Sequence, residues 1–302
     1  MRVMSRSWLR LIPLAGLVFS LALAGCGGGR PKDGRDLTYI QNKGSDTMVN
    51  VAQAWAEQYK TVAPDVEVEV SGGGSGVGIA ALIRGAVDIA NASRDMKSAE
   101  IDQAKKNTGL EPREFIAGFD ALAIYVHKDN PATEISIDQL ADVFAEDGRT
   151  TKWSQLGITM PRRHDGIIRI SRQSSSGTYE FFRTHVLNKK DFKLGSRDMN
   201  GSKEVVELIA GTPGAIGYSG MGYNEPGRVK MLKVASLKGG PTIEPTVENT
   251  LNKRYPIARS LLLYTLGEPA GATKAYIDWI LSEPGQKVVQ ESGYVPAGPV
   301  PR

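Results

Sequence analysis

The chain has a single cysteine, Cys26, in 302 residues, so no disulfide can form within it. Histidine is almost as scarce. His127, His164 and His185 lie far apart, without the spacing that builds a metal site. Two common fingerprints are also missing. No Gly-rich turn is followed by the lysine of a P-loop, and GxSxG fails because Val77 stands two residues after Ser75. "SSSGT" (174–178) has no His or Lys nearby to activate a hydroxyl. There are no internal repeats and no long low-complexity runs. A strong charge imbalance is absent too. The net charge is +4, and Arg2, Arg6 and Arg10 supply three of those charges, leaving 4 − 3 = +1 for residues 26–302. Nucleic acid is therefore not an expected partner. What remains is ordinary globular composition, 41% hydrophobic and 23% charged, long enough for one large or two medium domains.

The longest apolar run near the N-terminus, Leu11 to Ala22, is broken only by Pro13, Gly16 and Ser20 and follows three arginines. It is short for a membrane span and suits a signal peptide. "LAGC", Leu23 to Cys26, resembles a bacterial lipobox. That resemblance implies cleavage before Cys26, a lipid such as palmitate on its sulfur, and an exported protein anchored to the membrane, facing periplasm or cell exterior. "GGGRPKDGRD" then reads as a flexible tether. Residues 1–25 are thus expected to be a signal peptide and 26–36 a tether.

Beyond the tether, strand and helix patterns alternate. "LTYIQNK" (37–43) suits a strand. The following helix places Met48, Val51, Ala52, Trp55 and Tyr59 on one face and stops before Pro64. "VEVEV" (66–70) alternates apolar and acidic residues, as a strand near a sheet edge does. "SGGGSG" leads into a helix with Ile79, Leu82 and Ile83 on one side and Gly85 as its cap. "AVDIA" (86–90) predicts a third strand. "SIDQLADVFA" is a helix with Leu140, Val143 and Phe144 inward. "IIRIS" (167–171) and "GAIGYSG" are strands, "SKEVVELIAG" is a helix, and one or two helices follow residue 271. Such alternation implies a mostly parallel sheet. Long strands near 119–126 and 257–265 are expected to cross between two lobes, one formed by 37–120 plus 261–302 and the other by 121–260.

Four strands end in small polar turns: "GSDT", "SGGGSG", "NASR" and "RQSSSGT". In open α/β sheets, ligands bind at the carboxyl ends of the strands, and helix N-termini there present N–H groups to anions. Ser45, Asp46, Thr47 and Ser75 fall in the first two turns and Arg94 in the third. Arg172, Ser176, Gly177 and Thr178 form the fourth. A guanidinium fork fits a tetrahedral oxyanion, and Gly177 permits close backbone approach. Each turn also has a plainer reading. Ser, Asp and Thr are ordinary N-caps, Ser75 sits in a turn that flexes, Arg94 has carboxylates to pair with, and Arg172 is readable as a surface residue beside a capping cluster. The local sequence leaves both readings open; the shared position at strand ends favours an anion.

"GSDTM", "GGGSGVGIAALIRGAVDIANASR", "GFDALAIYVHKDNP", "RQSSSGTYEFF", "GAIGYSG" and "YPIARSLLLY" together resemble the PstS-type phosphate-binding lipoproteins of ABC importers, in the same order. The resemblance implies a two-lobed periplasmic-binding-protein fold of type II with two crossing strands. It also implies phosphate held between the lobes by Ser45, Asp46, Thr47, Ser75, Arg172, Ser176, Gly177 and Thr178, and delivery to permease subunits with their cytoplasmic ATPase. The expected protein is monomeric, needs no cofactor and is not an enzyme. Some family members have an aspartate after the third turn's serine, where this chain has Arg94. Asp46, then Asp120, is the candidate to accept phosphate's proton instead. "GITMPRRHDG" (157–166) replaces a shorter Gly-rich turn and reads as surface variation. Alternatives are another oxyanion (sulfate or molybdate), a phosphohydrolase using the same cradle, and a sensor or adhesion role. Arg172→Ala is expected to weaken binding and leave the fold intact.

Overall fold

The computed structural model describes residues 37–298; the expected signal peptide, Cys26 and the tether lie outside them. The first elements alternate as β1 (Thr38–Gly44), α1 (Val49–Val62), β2 (Val66–Ser71), α2 (Ser75–Ile83), β3 (Ile89–Ala92) and α3 (Ser98–Thr108). The 16-residue β4 (Pro112–His127) follows, then β5 (Glu134–Ser136) and α4 (Ile137–Phe144). A second alternation runs β6 (Ile168–Arg172), α5 (Gly177–His185), β7 (Arg197–Met199), α6 (Ser202–Ala210) and β8 (Ala215–Gly220). Next come β9 (Val229–Met231), β10 (Lys233–Ala235), β11 (Thr242–Ile243), α7 (Val247–Leu251) and β12 (Ala258–Leu266). α8 (Gly271–Leu281), α9 (Glu283–Glu291) and β13 (Val295–Pro296) complete the described elements.

The main sheet has the order β2-β1-β3-β12-β4-β8-β6-β7, with β13 and β9 also paired to β4. β2, β1 and β3 are parallel at one end, and β8, β6 and β7 are parallel at the other. Between them stand the antiparallel neighbours β12 and β4. β4 is long enough to serve both halves. Its first part pairs with β12 and β13, and Leu122–Val126 pairs with β8. A separate sheet, β11-β10-β5, lies outside this path.

Local sequence explains most boundaries. α1 buries Met48 from its N-cap position together with Val51, Ala52, Trp55 and Tyr59. Fully burying such side chains stabilises by roughly 1.5–3 kcal/mol each. Trp55 satisfies its one polar atom by donating Nε1–H to Gly285 O at 2.8 Å. β2 is a sheet edge, as its acidic alternation predicts. The strand expected at 86–90 forms instead at Ile89–Ala92. The reason lies in the end of α2: Gly85, at φ +66°, and Ala86 donate to Leu82 O and Ala81 O, so this Schellman closure occupies the residues before the strand. Residues 157–166 contain a single short 3₁₀ turn, Arg162–His164, with no buried residue in it.

Candidate functional site

β1, β3 and β6 run parallel within their half-sheets and deliver their C-terminal turns to one place. The hydroxyls there are packed against each other. Ser45 Oγ donates to Ser93 Oγ at 3.0 Å, Ser75 Oγ lies 3.3 Å from Ser93 Oγ, and Ser93 N–H donates to Ser75 Oγ at 3.0 Å. Thr47 Oγ1 and Thr178 Oγ1 are 2.8 Å apart, although 131 residues separate them in sequence. All five side chains are buried. The turn before α5 meets the turn before α2 directly, with Gly76 N–H donating to Ser175 O at 2.9 Å. Glycine is required at this approach. A Cβ on Gly177 would lie 2.7 Å from Ser93 Oγ, 2.9 Å from Ser75 Cβ and closer still to Ser75 Oγ; one on Gly74 would lie 2.5 Å from Ser175 O.

Arg172, at the end of β6, is wholly buried. Its Nη1 donates to Ser202 Oγ at 3.0 Å, and its Nη2 donates to Asp46 Oδ2 at 3.0 Å and Asn200 O at 2.9 Å. Nε is buried and has no hydrogen-bond partner among the described residues. An unpaired N–H on a buried guanidinium is costly unless something accepts it. Burial draws the Arg172 guanidinium below its ordinary pKa, and Asp46 opposes that. Asp46 Oδ1 in turn accepts Gly73 N–H at 2.8 Å, and Asp46 O accepts the Tyr223 hydroxyl at 2.7 Å.

Ser176 caps α5, its Oγ accepting Thr178 N–H at 3.1 Å and Tyr179 N–H at 3.4 Å. The plainer N-cap reading thus holds for its side chain. Arg94 makes its hydrogen bonds away from the hydroxyl cluster. Both Nη atoms donate to Glu100, at 2.8 and 2.7 Å, and Nη1 also to Asp95 O. The guanidinium lines a cavity of about 370 Å³ that also touches Lys97, Glu180, Phe181, His185 and Arg259.

Two participants escape a reading by turns alone. Ser93 lies in "NASR" but was overshadowed by its charged neighbour. Arg259 sits in the apolar run that becomes β12. It pairs in register with Asp120 on β4, and both are buried. Arg259 Nε and Nη2 donate to Asp120 Oδ2 at 3.0 and 2.8 Å, and Asp120 Oδ1 accepts Met221 N–H at 2.9 Å. Complete burial raises the Asp120 carboxyl above its ordinary pKa, against the pull of Arg259. The sequence signal was one acid and one base, each alone in a long apolar strand, since buried charges need partners.

Two guanidiniums and two carboxylates sum to zero formal charge. An added anion would be balanced by donors: the Arg172 Nε–H, the hydroxyls, and the N-termini of the nine-residue helices α2 and α5. Among the described residues, no group of three or more His, Cys, Asp or Glu is placed to hold a metal, and no helix is long and apolar enough to cross a membrane.

Residues 31–284 match the PBP superfamily domain. Among curated relatives, the phosphate-binding protein PstS of Pseudomonas aeruginosa is 33% identical over 269 residues, covering 85% of this chain and 82% of the relative. Protein SphX of Synechococcus elongatus is 33% identical over 264 residues, covering 84% and 76%. Among solved structures, a putative phosphate ABC transporter substrate-binding protein with bound phosphate from Clostridium perfringens matches at a TM-score of 0.75 and 31% identity, over 86% of this chain and 100% of that one. An ABC-type phosphate transport receptor from Vibrio cholerae matches at 0.67 and 27%, over 85% and 99%. Identity and shape agree across most of the length, and the chain belongs to the PstS-type family of the PBP superfamily, with the two-lobed fold of periplasmic binding proteins.

Proposed function

We propose that the chain binds inorganic phosphate between its lobes and hands it to an ABC-type importer, without chemistry on the ligand. One observation carries the reading. A buried Arg172 with an unpartnered Nε is tied to Asp46, the neighbour of Thr47, and Thr47 from one half-sheet meets Thr178 from the other. Phosphate-binding relatives of similar length support it. Residues 37–120 plus 261–298 form one lobe and 121–260 the other, with β4 and β12 crossing between them. Ser45, Thr47 and Ser75 face phosphate from the first lobe, and Arg172 and Thr178 from the second. Gly177 makes room for the approach, while Ser176 orders the start of α5. Arg94 is left outside the phosphate shell because both of its Nη atoms are turned to Glu100.

Closure is favoured because both sets of contacts exist only in the closed form. Selectivity rests on phosphate's proton, which sulfate lacks at neutral pH. Asp46 is the acceptor: its side chain is 15% exposed, whereas Asp120 is wholly buried, and a carboxylate oxygen can accept a further hydrogen bond beside those from Gly73 and Arg172. The protein acts as a monomer, anchored through lipid on Cys26 at the outer side of the cytoplasmic membrane, where it meets the permease subunits. The test is calorimetric titration of protein lacking residues 1–26, stripped of bound anion, with phosphate and with sulfate. Binding of phosphate in preference to sulfate is expected. Binding of sulfate alone, or of neither, refutes the reading.

A further inference from the structure

Arg259 stands at the centre of the hydroxyl cluster and yet has no donor to offer a ligand. Its Nε and Nη2 reach Asp120 Oδ2, and Nη2 also reaches Thr47 Oγ1 at 3.3 Å. Nη1 reaches Thr178 Oγ1 at 3.0 Å and Ser93 O at 3.4 Å. A guanidinium has five N–H donors, and these bonds occupy all of them. Its face is covered by Phe181, whose ring centroid is 5.6 Å from Cζ. The side chain is 2% exposed and is fixed across the two crossing strands by its carboxylate partner, itself 0% exposed.

A threonine hydroxyl accepts through its oxygen lone pairs and donates one hydrogen. Arg259 fills a lone pair on Thr47 and one on Thr178, and it offers neither hydroxyl an acceptor. The two hydroxyl hydrogens must therefore point away from it. In the structure one hydroxyl donates to the other; an oxyanion lodged beside them accepts both. We infer that Arg259, held by Asp120, is a positioning residue that sets the donor direction of Thr47 and Thr178 for the bound anion. From its place on β12 it also ties Thr47 and Ser93, on one side of the crossing, to Thr178 on the other. This inference rests on the phosphate-binding reading above and adds the residue pair that pre-orients two of its donors.

The test is a coupling measurement. Phosphate is titrated calorimetrically into the purified wild type, into Asp120→Asn/Arg259→Gln, into Thr47→Val/Thr178→Val, and into the protein carrying all four changes. Changing the ion pair as a unit avoids leaving one charge buried alone. Circular dichroism and melting curves check each fold. The pair variant is expected to raise Kd about 30-fold, as the loss of one to two hydrogen bonds to a charged ligand would. With both threonine hydroxyls removed, the same change should add less than about threefold, because coupled residues are not additive. An equal loss in both backgrounds overturns the inference, since Arg259 would then act without the threonines. A Kd within about threefold of wild type for the folded pair variant also overturns it. Arg259→Lys keeps the charge, but a single ammonium cannot span both threonines. It is expected to weaken binding about tenfold, and unchanged affinity contradicts the proposal, so the test survives if the pair variant does not fold. Should the wild type bind no phosphate, the functional reading falls and this inference with it; additivity in a phosphate-binding wild type sinks the inference alone.

Discussion

Replacing Arg172 with alanine separates the binding role of this residue from its structural one, and the size of each effect follows from its contacts. Three of the five guanidinium donors are used by Ser202, Asp46 and Asn200, which leaves Nε and one Nη1 hydrogen for a ligand. Hydrogen bonds involving charged groups contribute about 1.5–3 kcal/mol each. Losing two costs at least about 3 kcal/mol of binding, or roughly 100-fold in Kd. The fold suffers as well, contrary to the expectation from sequence alone. Breaking a buried ion pair costs about 3–5 kcal/mol. The lower end applies here, because the Asp46 side chain is 15% exposed and keeps its bond from Gly73 N–H. A chain of this size should melt several degrees lower as a result, at about 2–4 °C per kcal/mol. The assay is calorimetry with phosphate well below the variant's own melting temperature, with the melt recorded in parallel. A folded Arg172→Ala protein whose Kd stays within about threefold of wild type refutes the assignment of Arg172 to the ligand.

Gly177→Ala places a methyl group against the Ser75 and Ser93 side chains, so phosphate binding should fall by more than about tenfold, and the melting temperature should fall by several degrees because overpacking costs about 1–3 kcal/mol; calorimetry and a melt read both. The Lys97–Glu180 pair joins the start of α3 to α5 at 3.0 Å, but its side chains are 54% and 24% exposed. Glu180→Gln should therefore change phosphate Kd by less than about fivefold, the ceiling for a surface pair. Asp46→Asn should narrow the preference for phosphate over sulfate, read by competition titration. Burial opposes ionisation of Glu100, yet bonds from Arg94 and from Lys97 N–H hold its carboxyl below the ordinary pKa. A carboxylate with a depressed folded pKa stabilises above its unfolded pKa, and that contribution is lost as pH falls through the folded value. Glu100→Gln should thus lower stability at neutral pH by about 2 kcal/mol and flatten the acid limb of the stability–pH curve, measured by denaturant melts from pH 3 to pH 7.

The sequence alone determined the alternation of strands and helices, because apolar spacing is a local signal. Val51, Trp55 and Tyr59 recur on one helical face, and Ile79, Leu82 and Ile83 on another. It also marked the turns that converge, since strand ends of a parallel sheet share one rim and several of them carry Ser, Thr and Gly. Misplacement of the third strand by three residues came from a helix cap that consumes Gly85 and Ala86, a hydrogen-bonding demand that apolarity does not reveal. The partners of the charged residues were decided by tertiary structure. Arg94 turned to Glu100, Arg172 turned to Asp46 across the two halves of the sheet, and Arg259 found Asp120 through the register of β12 on β4. Thr47 and Thr178 touch for the same reason. Contacts across 131 residues depend on strand order and register, and these are settled by which apolar faces pack together.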